Sequence, residues 1–200
     1  MRLQTMLFGL VLIGAFFAAG WIQVSETIQY TFTDESQVRV EGTSTLHDWT
    51  AEGNSVAGTM EISGAGGLLN GGTLAKGSLS IPVGALETDN STMNKKMRDA
   101  LKAKTHSTIT YELISAELTG APQGNGFQIL AKGELSLAGV SRVIEVRLDG
   151  WDLGDGKLRL TGSYPLQMSD YGMKPPTAML GTIKTGDAVT VHFDLVANAL

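Results

Sequence analysis

Two hundred residues suffice for one domain with a sizeable core. The formal net charge is −5, with acidic and basic side chains interspersed, so the sequence gives no electrostatic reason to bind nucleic acid or an anionic membrane. There is no cysteine, which excludes disulfides, thiolate chemistry and a lipid-modified cysteine and leaves stability to the core.

Residues 1–20 read as a secretory signal. Arg2 is a short positive region, residues 7–19 are an apolar run, and Ala18-Ala19-Gly20 is a small-residue cleavage site. The expected domain is therefore residues 21–200, exported to a bacterial periplasm. Secretion into the medium, and an uncleaved anchor lengthened by Trp21 and Ile22, are the alternatives.

Ile28, Tyr30 and Phe32 alternate with polar residues, and the alternation returns at Val38 and Val40 after Asp34-Glu35-Ser36, which predicts two strands joined tightly. A strand-like segment holding Leu46, His47 and Trp49 follows, then an inward row of Val56, Gly58, Met60 and Ile62. Residues 64–72 are a glycine-rich connection without the spacing of a phosphate loop. Thr73, Ala75, Gly77, Leu79 and Ile81 form the next inward row, ended by Pro82. Residues 91–103 are the one predicted helix: Asp89, Asn90 and Ser91 can cap it, and Met93, Met97, Ala100 and Leu101 recur at helical spacing. A strand over residues 108–114 precedes the clearest pattern in the chain, residues 126–150. There Phe127, Ile129, Ala131, Gly133, Leu135 and Leu137 share one phase and Ile144, Val146 and Leu148 another, on two strands of an antiparallel hairpin joined through residues 138–141. Residues 157–169 form a long strand with Leu158, Leu160, Gly162, Tyr164, Leu166 and Met168 on one face. Residues 169–186 read as a loop, and Val189, Val191, Phe193 and Leu195 as the last inward row.

About eight short strands, one helix and glycine-rich turns predict an all-β, antiparallel domain, and a closed barrel is favoured over a sandwich. Glycine recurs in the inward rows, as it does where strands bend to close a barrel. Small inward residues (Gly58, Gly77, Ala131, Gly133, Gly162) also predict a sheet that curls around free space.

Three segments in order carry a family resemblance: residues 93–113 (MNKKMRDALKAKTHSTITYEL), residues 133–148 (GELSLAGVSRVIEVRL) and Ser169-Asp170-Tyr171-Gly172. Together they resemble the YceI-like, polyisoprenoid-binding family. The resemblance implies a lipocalin-like closed barrel of about eight strands, with the helix near its mouth and a long isoprenoid chain, quinone-like or prenyl-phosphate-like, held inside. A narrow apolar tunnel suffices for such a ligand, because buried hydrocarbon contributes roughly 25 cal/mol per Å² without any chemistry.

On that reading the polar rim comprises His47, Trp49, Tyr111, Asp170 and Tyr171, and the lid Met93, Met97 and Leu101. The wall comprises Phe127, Ile129, Gly133, Leu135, Val146, Leu160 and Tyr164. The expected partner is an isoprenoid or fatty lipid and not nucleic acid, with transient membrane contact and a homodimer left open. No cofactor is expected beyond the non-covalently held lipid. Catalysis is not expected. Ser44, His47 and Asp48 invite a hydrolase reading, but neighbours on an extended segment face opposite ways, and no nucleophile-elbow motif is present. His47, His106 and His192 lack metal-ligand spacing. The competing reading is a filled barrel acting as a structural or interaction module of the envelope or stress response.

Overall fold

A computed structural model of the chain describes residues 26–64, 66–120 and 123–200. The expected signal segment, Trp21 and Ile22 lie outside them. The alternating rows become eleven strands: β1 (Thr27–Phe32), β2 (Gln37–Ser44), β3 (Trp49–Gly53), β4 (Ala57–Ser63), β5 (Thr73–Pro82), β6 (Thr108–Leu118), β7 (Gly126–Leu137), β8 (Val140–Gly154), β9 (Lys157–Gln167), β10 (Thr177–Ala178) and β11 (Ile183–Ala199). One α-helix, α1 (Ser91–Ala100), lies between β5 and β6.

Around the wall the order is β1, β4, β5, β6, β7, β8, β9, β11, and β11 returns to β1 with Tyr30 opposite Ala199 and Phe32 opposite Ala197. This is a closed, antiparallel, eight-stranded barrel, as the alternation predicts. β1 and β2 do not pair with each other. Both run along the same flank of β11, β2 from Gln37 opposite Asp194 to Ser44 opposite Thr185, so they form one interrupted strand. Ser36 holds the interruption: buried, its Oγ donates to the Val196 carbonyl at 3.1 Å and accepts from the Val196 N–H at 3.0 Å. β3 and β4 repeat the arrangement, pairing with β2 and β1 respectively. At the top, the segment after β5 takes the wall position beside β3, where Glu52 and Glu87 exchange two backbone hydrogen bonds of 2.8 Å.

Two bulges reset the phase of the inward rows. In β5 the register shifts between Glu61 and Ile62 of β4, so Leu74 is buried while Thr73 and Ala75, predicted inside, are exposed. In β6 a shift between Leu113 and Ser115 turns Ile114 outward. The hairpin from β7 to β8 is tighter than the sequence predicts, with only Ala138 and Gly139 between the strands, both at positive φ (53° and 83°) as a two-residue primed turn requires.

The inward glycines do something other than leave space. At four of them the ring of an adjacent strand lies where a side chain would be. A Cβ at Gly42 would fall 2.6 Å from Trp49 Cε2, at Gly150 2.8 Å from Phe127 Cδ2, at Gly162 2.6 Å from Phe193 Cζ, and at Gly133 2.5 Å from the Tyr111 hydroxyl. Trp49, Phe127 and Phe193 sit directly opposite their glycines in the ladder, and Tyr111 reaches Gly133 diagonally across β6 and β7. Aromatic cover of a bare backbone is a device of bent sheets. The rings lie against the wall and contribute apolar area without crossing the barrel.

The bottom is closed by core side chains, including Tyr30, Ile62, Phe127 and Leu158. Leu68 joins them from a short 3-10 turn (Leu68–Asn70) in the glycine-rich connection and is only 5 % exposed. The outer wall is charged: Arg159 grips Asp194 through two hydrogen bonds, and Glu41 lies 3.1 Å from both Arg39 and His192. Apolar inside and charged outside is the reverse of a membrane-spanning barrel.

Candidate functional site: an apolar bore and its mouth

Free space remains inside the upper half of the barrel. A cavity of about 190 Å³ is walled by side chains from every strand around the barrel, and no polar atom faces the open space. Gly77 and Ala131 are the small residues that create it. Gly77 has an ordinary φ, and a Cβ there would meet Leu113 only at 3.5 Å, normal van der Waals contact. From Ala131 to Leu137 along β7, the tilted strand gives a depth of ~15 Å.

A second cavity, about 390 Å³, sits at the top and shares Val40, Leu86, Ile109, Leu137, Leu166 and Val191 with the first, so bore and mouth adjoin across these side chains. Together they fall in the range of about 300–1,000 Å³ that holds small apolar ligands. Three segments frame this mouth. The first is α1, started by Asn90, whose side chain accepts from the N–H groups of Thr92 and Met93. Asn94, buried on the first turn, anchors the helix by accepting from the Thr88 N–H (2.7 Å) and Oγ1 (2.8 Å) and donating to the Thr88 carbonyl. Met93, Met97 and Leu101 then face the cavity.

The second segment is residues 168–182, held at its base where Ser169 donates its N–H and its hydroxyl to the Asp187 carboxylate. The Lys96 ammonium donates to the Thr177 carbonyl and ties this segment to α1. The third is the turn at residues 44–48, closed by Ser44 Oγ, which donates to the His47 carbonyl at 2.7 Å. It is joined to the end of the second through Thr45, whose hydroxyl donates to the Thr182 carbonyl at 3.4 Å and whose N–H donates to the Lys184 carbonyl at the start of β11.

The predicted site residues separate into three groups. Tyr111, Leu135, Val146, Leu160 and Tyr164 line the bore, and His47, Trp49, Met93, Met97 and Leu101 line the mouth. The other five line neither. Phe127 and Ile129 are buried at the closed end, Phe127 over Gly150. Gly133 lies beneath the Tyr111 ring and 2.6 Å, from a would-be Cβ, from the Glu112 carbonyl oxygen, so it does not face the free space. Tyr171 is buried outside the cavities with the Arg142 guanidinium 5.8 Å above its ring, and Asp170 is exposed beside Arg142. Periodicity marks residues on a face but not which of them a neighbouring ring will cover.

Tyr111 also departs from its expected role at a polar rim. Its ring lines the bore, but its hydroxyl is turned into the wall over Gly133 with no hydrogen-bond partner, and burial pushes its pKa up to about 12. The hydroxyl of Tyr171 is likewise buried without a partner, with its pKa also near 12, chiefly through burial.

Sequence reasoning did not single out Met173, Pro176 and Ile183 at the mouth, which lie in a stretch without periodicity, or Phe32, Leu79 and Phe193 as bore residues. The strand alternation already puts Leu79 and Phe193 in inward rows and Phe32 in an alternating one, without marking them as facing free space. Ser44, His47 and Asp48 are not arranged for nucleophilic catalysis: Ser44 Oγ engages backbone, and His47 Nδ1 sits 2.6 Å from the Asp48 carbonyl oxygen instead of its carboxylate. Among the described residues no group of three His, Asp or Glu side chains is placed to hold a metal ion.

The fold is similar to solved structures at low identity. A polyisoprenoid binding domain from Saccharophagus degradans, described as implicated in plant cell wall breakdown, matches with a TM-score of 0.66 and 20 % identity over 86 % of this chain and 98 % of its own. BcnA of Burkholderia cenocepacia matches with a TM-score of 0.64 and 17 % identity over 81 % and 96 %. A YCEI protein of Campylobacter jejuni gives 0.56 and 18 % over 74 % and 83 %. No curated protein matches the chain. The profile of the YceI-like domain matches residues 30–197, and the chain belongs to that family.

Proposed function

We propose that this protein is a non-catalytic binding protein that holds an isoprenoid or similar long apolar lipid, for carriage, storage or scavenging in the cell envelope. The observation that carries the reading is the bore: a cavity whose free space is faced by carbon alone and which adjoins the apolar mouth. Such a site offers nothing to a polar solute and no group to activate a bond. About ten chain carbons fit the depth, and at roughly 0.8 kcal/mol each they contribute about 8 kcal/mol, a micromolar affinity before the cost of immobilising the chain. The ligand's polar end is left at the mouth, near His47 and Trp49. The similarity to a domain described as polyisoprenoid-binding supports the same class of ligand. Residues 1–20, read as a secretory signal, support export to the periplasm.

The test is purification of the mature protein from its native host under mild conditions, organic extraction and mass spectrometry of the extract. A stoichiometric apolar molecule with a long hydrocarbon chain is expected. Protein that emerges empty and takes up neither a prenylquinone nor a prenyl alcohol from detergent overturns the reading.

A further inference from the structure

We propose that the mouth of the barrel docks on an anionic lipid bilayer, with Leu46, Met179 and Leu180 inserted at the level of the headgroups. The proposal rests on the reading that the bore holds a hydrocarbon chain. Seven large apolar side chains are exposed in the described residues, and these three are the most exposed apart from the C-terminal Leu200 (67, 74 and 109 %). Leu46 lines the mouth, and Met179 and Leu180 lie at the tip of the neighbouring segment, which hydrogen bonds between Thr45 and both Thr182 and Lys184 stitch to the turn that holds Leu46.

The backbone presents them at a cost. Met179 and Leu180 are successive non-glycine residues at positive φ (49° and 57°), a conformation that bulky side chains seldom adopt and that persists where the surroundings or function demand it. Gly181 follows at φ 90°, which costs a glycine nothing, so the strain falls on the two residues that carry side chains.

Charge at this end points to the occupant. Of the acidic residues at this end, Glu87 pairs with Arg98 and Asp170 with Arg142, Asp187 accepts from Ser169, and Asp48, Asp89 and Asp99 have no ion-pair partner among the described residues. Lys95, Lys96, Lys174 and Lys184 flank the mouth without an ion-pair partner among the described residues, the last two beside the apolar tip. Beside the apolar tips Lys174 and Lys184 outnumber Asp48, and apolar tips flanked by lysine are the combination that binds an anionic membrane surface. The tips also lie on the two segments that frame one side of the mouth, where Leu46 is a lining residue. A chain leaving a bilayer at that point would pass from acyl core to bore without crossing water, which a protein partner or a second copy would not provide.

The test uses the mature protein, free of lipid, and sucrose-loaded vesicles of phosphatidylcholine containing about one third phosphatidylglycerol. The wild type is expected to sediment with these vesicles, to release them as salt is raised, and to bind pure phosphatidylcholine far less. Replacing the tips together (Leu46→Ser, Met179→Ser, Leu180→Ser) is expected to weaken partition about a hundredfold, since insertion of each exposed side chain is lost. Met179→Ser with Leu180→Ser alone, which changes no residue lining either cavity, should still take up geranylgeraniol from detergent, yet load it slowly from vesicles. Failure of the wild type to bind the anionic vesicles, or undiminished binding by the triple variant, overturns the docking. If docking occurs but neither protein takes up geranylgeraniol from detergent, the bore reading fails and the docking surface stands without it.

Discussion

Replacing Gly77 with leucine places a branched side chain in the bore at a position where the backbone already has an ordinary φ and a Cβ meets only Leu113 at 3.5 Å. The four added carbons occupy space that a bound chain would otherwise take. Losing about four ligand carbons at roughly 0.8 kcal/mol each removes about 3 kcal/mol of binding, a fall in affinity of roughly 150-fold. The stability of the lipid-free protein moves the other way. New apolar burial and the loss of a strand glycine together outweigh modest crowding by about 1–2 kcal/mol, which raises Tm by roughly 2–8 °C for a domain of this size.

The control is Gly133→Leu. It belongs to the same inward phase in the sequence, but its side chain would collide with the Tyr111 ring and the Glu112 backbone carbonyl. That variant is expected to lose about 3 kcal/mol or more in stability, with any loss of uptake following from misfolding. Titration with a fluorescent prenyl probe, beside thermal melts of both lipid-free variants, separates the two cases. A folded Gly77→Leu protein with wild-type uptake would show that the free space at Gly77 is not where the ligand lies.

Three further outcomes follow from single side chains. Tyr111→Phe removes a buried hydroxyl that has no partner, so it is expected to leave stability unchanged or raise it by about 1 kcal/mol in urea melts, with uptake intact. The same change alters the alkaline limb. The Tyr111 pKa is raised in the folded state, so its contribution is complete below the ordinary tyrosine value near 10 and is lost as pH rises toward about 12. The wild type should therefore lose stability across that window more steeply than the Phe variant, as pH-dependent melts would record. Ser36→Ala leaves the Val196 N–H without its acceptor at the break between β1 and β2, at a cost of about 1–3 kcal/mol in chemical denaturation. Asn94→Ala frees Thr88 and loosens α1 over the mouth. It is expected to cost about 1–3 kcal/mol and to speed hydrogen exchange in α1 while β7 and β8 stay protected.

How far alternation alone carried the reading depended on whether a strand ran uninterrupted. In β7, β8, β9 and β11 the period of two holds where the strands line the bore, with irregularities only near the ends of β8 and β11, and Leu135, Val146, Leu160 and Val191 are inside, as the pattern demands. In β5 and β6 single bulges flip the phase, and a bulge leaves no mark in a row such as Thr73, Ala75, Gly77. The stripe of Met93, Met97 and Leu101 located the mouth because a helix has its own period, whereas Met173 and Ile183 reach it from a stretch with none. The glycine and ring pairs were the harder case. Phe193 and Gly162 are 31 positions apart, and only the ladder between β11 and β9 brings them opposite one another, so the small residues read as evidence of space were in part seats for aromatic rings.

The space that does remain bears on why the bore is open at all. Unfilled apolar volume costs about 24 cal/mol per Å³ relative to a packed interior, so an empty bore of about 190 Å³ forgoes roughly 4–5 kcal/mol. That is a large share of the 5–15 kcal/mol by which domains are typically stable. A barrel serving only as a scaffold could recover this with larger residues at Gly77 and Ala131, since neither position needs to be small for the backbone's sake. The same ledger predicts that a chain entering the bore returns stability in proportion to its occupancy, through simple mass action. Tm should climb with prenyl alcohol concentration in the wild type and scarcely move in Gly77→Leu. A scaffold with an incidental void would show no such difference between the two.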